Sequence, residues 1–405
     1  MTDVDQFYNS PTIFPLSAFN LRPDNMRKWR AARGRAEVAK ASAGTCNAHI
    51  TCIGDSITYG ANATGVSSPK SPNSWPGRLR RMMDAQYSAG GSGVAMLWDT
   101  LTTYPTHDPR WTKVGTIEDR VAGAYNHGNV RWLSGSGDAN YVTFTADCTE
   151  FWIYSMVASS TPRVQVDGGT IYTIAGALGQ NALTNPDPLS GYQNDGSFGQ
   201  LVTVIPAGVQ GTHTLKIMAP SNGTSYMQMF GVRARTGKGV EVSNLGYNGI
   251  STSEMTLDNT TTGISGMAVG LDMMRADLSV MLLSMNDFQT HTSVATFKSR
   301  VTTLVQRQKS SDTYRANGDV LLVACPRPDF ANIPLDHVQS PPLSDYHVAL
   351  YEVAVEQDVP LLDLAHRWTD FSTSNPLGYY ADSLHPTDLG AEDIARAVWN
   401  VLHAV

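Results

Sequence analysis

Ala48-His49-Ile50-Thr51-Cys52-Ile53 runs into Gly54-Asp55-Ser56 near the start of the chain. The first six residues read as a short buried strand, and the glycine directly after them lets the backbone turn sharply. Ser56 is thereby placed just beyond the carboxyl end of a strand, the edge at which open parallel sheets bind ligands. Taken alone the tripeptide has a second reading, because Asp and Ser are also common turn and helix caps.

Three more segments bear on Ser56. Asp382-Ser383-Leu384-His385-Pro386 puts a carboxylate three residues before an imidazole. Pro386 keeps His385 from being helical, so the two groups can meet within one loop. Such a pairing fixes the tautomer of the ring and favours the imidazolium formed when a serine gives up its proton. None of the nine other histidines combines an Asp three residues earlier with a Pro directly after.

Residues 278–283 read as a buried strand that ends in Ser284-Met285-Asn286-Asp287. The Asn286 amide can donate to the oxyanion of a tetrahedral intermediate, and removing one such donor costs roughly 3 to 4 kcal/mol. Asp287 is expected to cap the following helix. Asn244-Leu245-Gly246-Tyr247-Asn248-Gly249 follows the strand-like residues 240–242. Gly249, with no side chain, can present its backbone N–H to the same oxyanion. Singly, each segment also reads as an ordinary loop glycine or turn asparagine; their order along the chain is what joins them.

In these four blocks the sequence resembles the SGNH or GDSL hydrolases, a family named for a serine, a glycine, an asparagine and a histidine. Gly54-Asp55-Ser56-Ile57-Thr58 is the first block, residues 246–252 with Gly249 the second, Ser284-Met285-Asn286-Asp287 the third and Asp382-Ser383-Leu384-His385-Pro386 the fourth. Ile57 stands where the family name implies leucine, and Ser284 where a glycine is usual, a change expected to narrow the cleft or move Asn286. The resemblance implies an α/β fold, a three-layer α/β/α sandwich with a flavodoxin-like parallel sheet. It also implies carboxylic ester hydrolysis through an acyl-serine: Ser56 as nucleophile, His385 as base, Asp382 orienting it, and Ser56 and Gly249 N–H groups with the Asn286 amide as oxyanion hole.

At 405 residues the chain has two domains as its natural prior. A net charge of -7 from 29 basic and 36 acidic residues argues against broad nucleic-acid binding. No run reaches the roughly 18 apolar residues of a membrane helix. The polar start, residues 1–6, does not read as a signal peptide, so export by the usual route is expected to need a leader. Cys46, Cys52, Cys148 and Cys325 make no disulfide framework. Cys52 and Cys325 read as reduced core thiols, with a Cys46–Cys52 bridge left open. Zinc, Walker and G-x-G-x-x-G motifs are missing, so no metal, cofactor or nucleotide is expected. G-x-S-x-G is missing too, which argues against an α/β-hydrolase elbow around the serine.

Residues 75–87 read as the helix after the first strand. From about residue 92 to 238 the chain turns rich in Gly, Thr, Ser, Val and aromatics. Residues 141–145, 151–154, 163–166, 201–205 and 213–217 read as short strands, separated by turns such as Asp167-Gly168-Gly169 and Pro206-Ala207-Gly208. This predicts an inserted antiparallel β-sandwich over 92–238, inside a hydrolase domain made of 46–91 and 239–405. An alternating pattern then resumes: helices at 293–309, 344–357 and 388–402, strands at 320–325 and 360–364. Residues 1–45 form an extension whose basic helix carries Met26, Trp29 and Ala32 on one face, suited to packing on the core.

The inserted segment resembles the carbohydrate-binding or jelly-roll sandwiches of some polysaccharide-directed esterases. Trp111, Trp132, Trp152, Tyr141, Tyr154 and Tyr192 could stack on sugars, or be core as aromatics on alternating strands commonly are. The same unit could instead serve homo-oligomerisation or assembly into a virion. The layout also resembles hydrolases encoded among the tail genes of phages that infect actinobacteria. The expected function is a serine esterase that removes short acyl groups such as acetyl from a carbohydrate or cell-envelope polymer, with activity falling in acid as the imidazole protonates. Lipid or mycolyl-type esters are the second reading, and a non-catalytic binding or structural protein that keeps the fold is the third.

Overall fold

The structure is a computed structural model that describes residues 18–41, 47–64, 72–91, 93–96, 110–115, 118–119, 131–133, 139–156, 163–173, 192–193, 199–218, 227–256, 271, 274–310, 318–333 and 340–405. One sheet contains β1 (Ala18–Phe19), β2 (Ala48–Gly54), β3 (Val240–Gly246), β4 (Leu278–Leu283), β5 (Asp319–Ala324) and β6 (Leu361–Asp363). Their order is β1-β6-β5-β4-β2-β3. Strands β2 to β6 pair in parallel. The expected all-parallel sheet is corrected at one edge, where β1 pairs antiparallel with β6, Ala18 opposite Leu362. A two-residue strand arriving from the chain's start has no crossover helix to turn it round, so either direction is open to it.

Every residue of β2, β4 and β5 is buried. Helices cover both faces of such a sheet, which is why these strands read as continuous apolar runs rather than alternating ones. Among the described residues the helices are α1 (Arg27–Ala41), α2 (Ser56–Tyr59), α3 (Trp75–Tyr87), α4 (Thr252–Met255), α5 (Met285–Gln289), α6 (Val294–Lys309), α7 (Leu343–Glu356), α8 (Leu364–Trp368), α9 (Phe371–Ser374) and α10 (Asp388–His403). Their starts follow capping chemistry: the side chains of Ser74, Ser293 and Thr387 accept from Gly77, Thr296 and Gly390 N–H.

Helix α1 packs its Trp29, Ala32, Ala36 and Ala39 stripe inward and keeps Arg27, Lys28, Arg30 and Arg35 exposed. Trp29 Nε1 donates to Leu402 O at 3.0 Å, and Arg33 reaches the same carbonyl at 2.7 Å. The extension is therefore part of the layer that covers the first sheet. Burying a side chain the size of Met26 contributes about 1.5–3 kcal/mol.

Strand β2 lies between β3 and β4. The chain leaves β2 toward one side, then crosses back to build β4, β5 and β6 on the other. In sheets of this order the connections diverge above the two central strands and open a crevice there. The segments after β2 and β4 begin with Asp55-Ser56 and Ser284-Met285-Asn286.

The described strands of a second sheet, antiparallel throughout, all fall between Gly93 and Arg235, within the β2-to-β3 connection. Two expected pairs of strands are single long ones: 141–145 and 151–154 belong to Tyr141–Met156, and 201–205 and 213–217 to Gly199–Met218. Pro206-Ala207-Gly208 is accordingly a bulge and not a turn. The register shifts between Pro206 and Gly211 while both flanks stay paired with the same neighbour. Proline cannot donate to the ladder, and Gly208, at φ 116°, absorbs the extra residues. Asp167-Gly168 does turn the chain, both residues taking the positive φ of a tight hairpin.

The second sheet has its own core of Trp111, Phe144, Phe151, Ile153, Leu215 and Val232. Trp111 and Tyr154 are buried, which corrects their candidacy as sugar-stacking faces. Trp152 is half-buried beneath the guanidinium groups of Arg233 and Arg235, 5.1 and 4.7 Å from its ring centre. Lys216 lies over the Tyr141 ring at 4.0 Å. The side chains of Trp132 and Tyr192 lie outside the described residues. Among the described residues no helix is long and apolar enough to cross a membrane.

Candidate active site

Gly54 ends β2 where the sheet is most crowded. A Cβ there would lie 2.3 Å from Thr58 Oγ1 and 2.6 Å from Leu282 O, so a side chain is sterically forbidden. Asp55 follows as the N-cap of α2, its Oδ1 accepting from Ile57 N–H at 2.9 Å. This starts the helix at Ser56, directly beyond the carboxyl end of β2. Asp55 itself is buried, and that burial pushes its carboxyl up to about 6, against the Ile57 bond and the nearby His385, with Asp287 adding to the rise.

The loop after α9 brings the other groups. Asp382 Oδ1 accepts from Leu384 N–H at 2.7 Å and from His385 N–H at 2.6 Å, closing a tight Asx-type turn. Ala381 N–H bonds His385 O at 2.9 Å, and Asp329 N–H bonds Ser383 O at 2.8 Å. With the backbone held, His385 Nδ1 lies 2.9 Å from Asp382 Oδ2 and His385 Nε2 lies 2.9 Å from Ser56 Oγ. Once Nδ1–H is given to the carboxylate, Nε2 is the acceptor for the serine O–H. Partial burial pushes the Asp382 carboxyl up, but the His385 backbone and ring N–H groups and Leu384 N–H outweigh it and hold it below the usual range.

Asn286 is the second residue of α5 and is nearly buried. Its Nδ2 donates to Ile250 O at 2.9 Å, which leaves one amide hydrogen uncommitted by that bond. Gly249, beside Ile250, has φ 74°, and a Cβ built there meets nothing within 4 Å among the described residues. The glycine is favoured by its left-handed backbone.

Asp287 is corrected: it does not cap the helix that follows it. Its oxygens take Thr252 N–H at 3.0 Å and Thr252 O–H at 2.6 Å, tying the second block to the third. Ser293 caps α6 instead. Ser284 carries φ 104°, which explains why glycine is the easier residue there, and its Oγ lies 3.0 Å from Cys325 Sγ. Cys325 is a buried free thiol, raised by burial, 3.6 Å from His347 Nε2. Burial also drives His347 down to about 4, against the pull of Asp363. Cys52 is likewise a buried free thiol; Cys46 lies outside the described residues.

Of the residues expected from the sequence, the structure joins Ser56, Asp382 and His385 by hydrogen bonds, and it ties Asn286 to Ile250, the neighbour of Gly249. The sequence reading missed Asn62, whose Nδ2 donates to Asp382 Oδ2 at 2.6 Å. A faint signal existed, since a Gly-x-Asn after a short helix suits successive left-handed turns.

Residues 205–392 match the GDSL-like Lipase/Acylhydrolase family model. Over that span the chain is similar to GDSL-like hydrolases. The matched span contains Gly249, Asn286, Asp382 and His385, while Ser56 precedes it. A solved peptidoglycan O-acetylesterase is similar in structure to this chain, with a TM-score of 0.66 at 14% identity, over 96% of this chain and 100% of that one. This likeness shows the fold. A carbohydrate esterase family 2 enzyme with a carbohydrate-binding domain from Corynascus thermopiles gives a TM-score of 0.31 at 12% identity over 73% and 98% of the chains. A lipase/acylhydrolase from Enterococcus faecalis gives 0.30 at 20% over 40% and 74%. No curated protein matches the chain in sequence.

Proposed function

We propose that this chain is a serine esterase that removes short acyl groups, acetyl first, from a carbohydrate or cell-envelope polymer. The observation that carries the proposal is the unbroken line Asp382–His385–Ser56, with both nitrogens of one imidazole engaged at 2.9 Å. Ser56 Oγ attacks the ester carbonyl as His385 Nε2 takes its proton. Asp382 holds the ring and stabilises its charged form. Ser56 and Gly249 N–H groups and the second Asn286 amide hydrogen receive the oxyanion. His385 returns the proton to the leaving alcohol, and water then releases the acyl group by the same steps.

The acetyl and polymer parts rest on the peptidoglycan O-acetylesterase that shares the fold over 96% of this chain, and on the strands that lie in the β2-to-β3 connection. We read residues 92–238 as an inserted β-sandwich unit for substrate recognition or assembly, within a hydrolase unit of 46–91 and 239–405. The test is a p-nitrophenyl ester series of increasing acyl length on wild type and Ser56→Ala, with acetate release from acetylated peptidoglycan and xylan measured alongside. Turnover highest for acetyl, and lost in Ser56→Ala, is the expected result. Equal turnover by both proteins removes Ser56 as nucleophile, and a preference for long chains replaces acetyl by lipid esters.

A further inference from the structure

We infer that Asn62 is a positioning residue for the Asp382–His385 pair, an inference that rests on the esterase reading of the site. Among the described residues the Asp382 carboxylate makes four hydrogen bonds. Two backbone N–H groups of its own loop fill Oδ1, and Oδ2 is divided between His385 Nδ1 at 2.9 Å and Asn62 Nδ2 at 2.6 Å. An ionised carboxylate offers about four acceptor sites, so Asn62 takes the last one. It sits on the very oxygen that holds the imidazole.

The backbone around Asn62 is built for this reach. Gly60 ends α2 at φ 95°, its N–H bonded to Ser56 O, and Asn62 then takes φ 63°, a conformation that asparagine tolerates better than most residues. Ala63 N–H closes the turn on Gly60 O at 3.1 Å. Two residues on, Thr64 N–H bonds Asp388 Oδ1 at 2.9 Å, and Asn73 Nδ2 holds Thr64 O at 2.7 Å. Asp388 opens α10, directly after the His385 loop. The stretch 60–64 thus sews the segment that carries the nucleophile to the segment that carries the acid and base, and Asn62 is the stitch that touches the machinery.

Two consequences follow from where the bond lands. Asn62 fixes the carboxylate plane, and hence the direction in which Nδ1–H must point. It also draws negative charge from Oδ2, so the imidazolium is stabilised less than a bare carboxylate would stabilise it. Removing the amide should loosen the ring and concentrate that charge together. A residue that merely held the surface loop would do neither.

Asn62→Gly removes the side chain and keeps the left-handed backbone; Asn62→Asp keeps the shape and puts a like charge on Oδ2. Asn62→Gly is expected to lower kcat about 10-fold with KM unchanged and to move the acid limb of kcat/KM about half a pH unit higher. Asn62→Asp is expected to do more at low salt, with the excess shrinking as salt rises. The His385 Nδ1 proton resonance, read by NMR without any turnover, is expected downfield in Asn62→Gly. Thermal unfolding checks that both variants fold. An active wild type with kcat, acid limb and resonance unchanged in folded Asn62→Gly overturns the assignment. A wild type that hydrolyses no ester while the resonance still moves overturns the esterase reading and leaves the Asn62–Asp382 coupling standing.

Discussion

His385 Nε2 lies 2.9 Å from Ser56 Oγ, although 329 positions separate them in the chain. The contact depends on the ring presenting an unprotonated Nε2, and Asp382 is the group that selects this tautomer. Asp382→Asn is expected to lower kcat roughly 10³- to 10⁴-fold, because an amide nitrogen facing Nδ1 favours the wrong tautomer. Steady-state kinetics with p-nitrophenyl acetate check it; a loss under tenfold would contradict the role. The carboxylate of Asp382 is already held below its usual range, so it stays ionised through mild acid.

Asp55 predicts a stability slope of the opposite kind. Its folded carboxyl is raised from 3.8 to about 6, chiefly by burial. Below about pH 4 it is protonated in both folded and unfolded chains and costs nothing. As pH rises toward 6 the unfolded chain has ionised, while the folded one must still give up a buried proton, so stability falls. Above that the full penalty stands, on the order of 3 kcal/mol at 1.36 kcal/mol per pH unit. Asp55→Asn keeps an oxygen for Ile57 N–H and should remove this slope. Urea unfolding at pH 4 and pH 7 measures it, and parallel changes in wild type and variant would refute it.

Arg233 and Glu241 form a buried ion pair, 3% and 0% exposed at the side chain, that links the second sheet to β3. Arg233 also donates to Met274 O at 3.3 Å. Leaving this charge buried without its partner is costly, so Glu241→Gln is expected to lose about 3–5 kcal/mol. Replacing both residues together, Arg233→Met with Glu241→Leu, should recover most of that loss. Chemical denaturation of the single and double variants gives the comparison.

Ser284 holds φ 104°, a region that costs a non-glycine residue about 1–3 kcal/mol. Its Oγ contact with Cys325 at 3.0 Å offsets part of this. Ser284→Ala keeps the strain and loses the contact, whereas Ser284→Gly loses the contact and the strain. The glycine variant is therefore expected to be more stable than the alanine variant by about 1 kcal/mol or more. Equal thermal unfolding midpoints would show that the strain is absent.

The alternating strands and helices after residue 239 were legible because each is a local pattern. Continuous apolar runs became β4 and β5, and Ser293 marked the start of α6 within one residue. The aromatic residues of the second sheet were not legible in the same way. Trp111, Trp152 and Tyr154 lie on strands whose alternation shows that two faces differ, yet the face that meets another layer is chosen by packing. Pro206-Ala207-Gly208 misled for a related reason: turn residues and bulge residues share the same backbone freedom.

The sequence by itself determined the chemistry offered: a serine after a buried strand, and an Asp and His placed to meet in one loop. Those are short-range matters, governed by φ/ψ preferences and spacing within a few residues. Only the tertiary structure decided that Asn62 meets Asp382, that Asp287 serves Thr252 and that β1 closes the sheet edge antiparallel. Such contacts join segments tens to hundreds of residues apart, and their geometry is set by how whole layers pack, which no local pattern encodes.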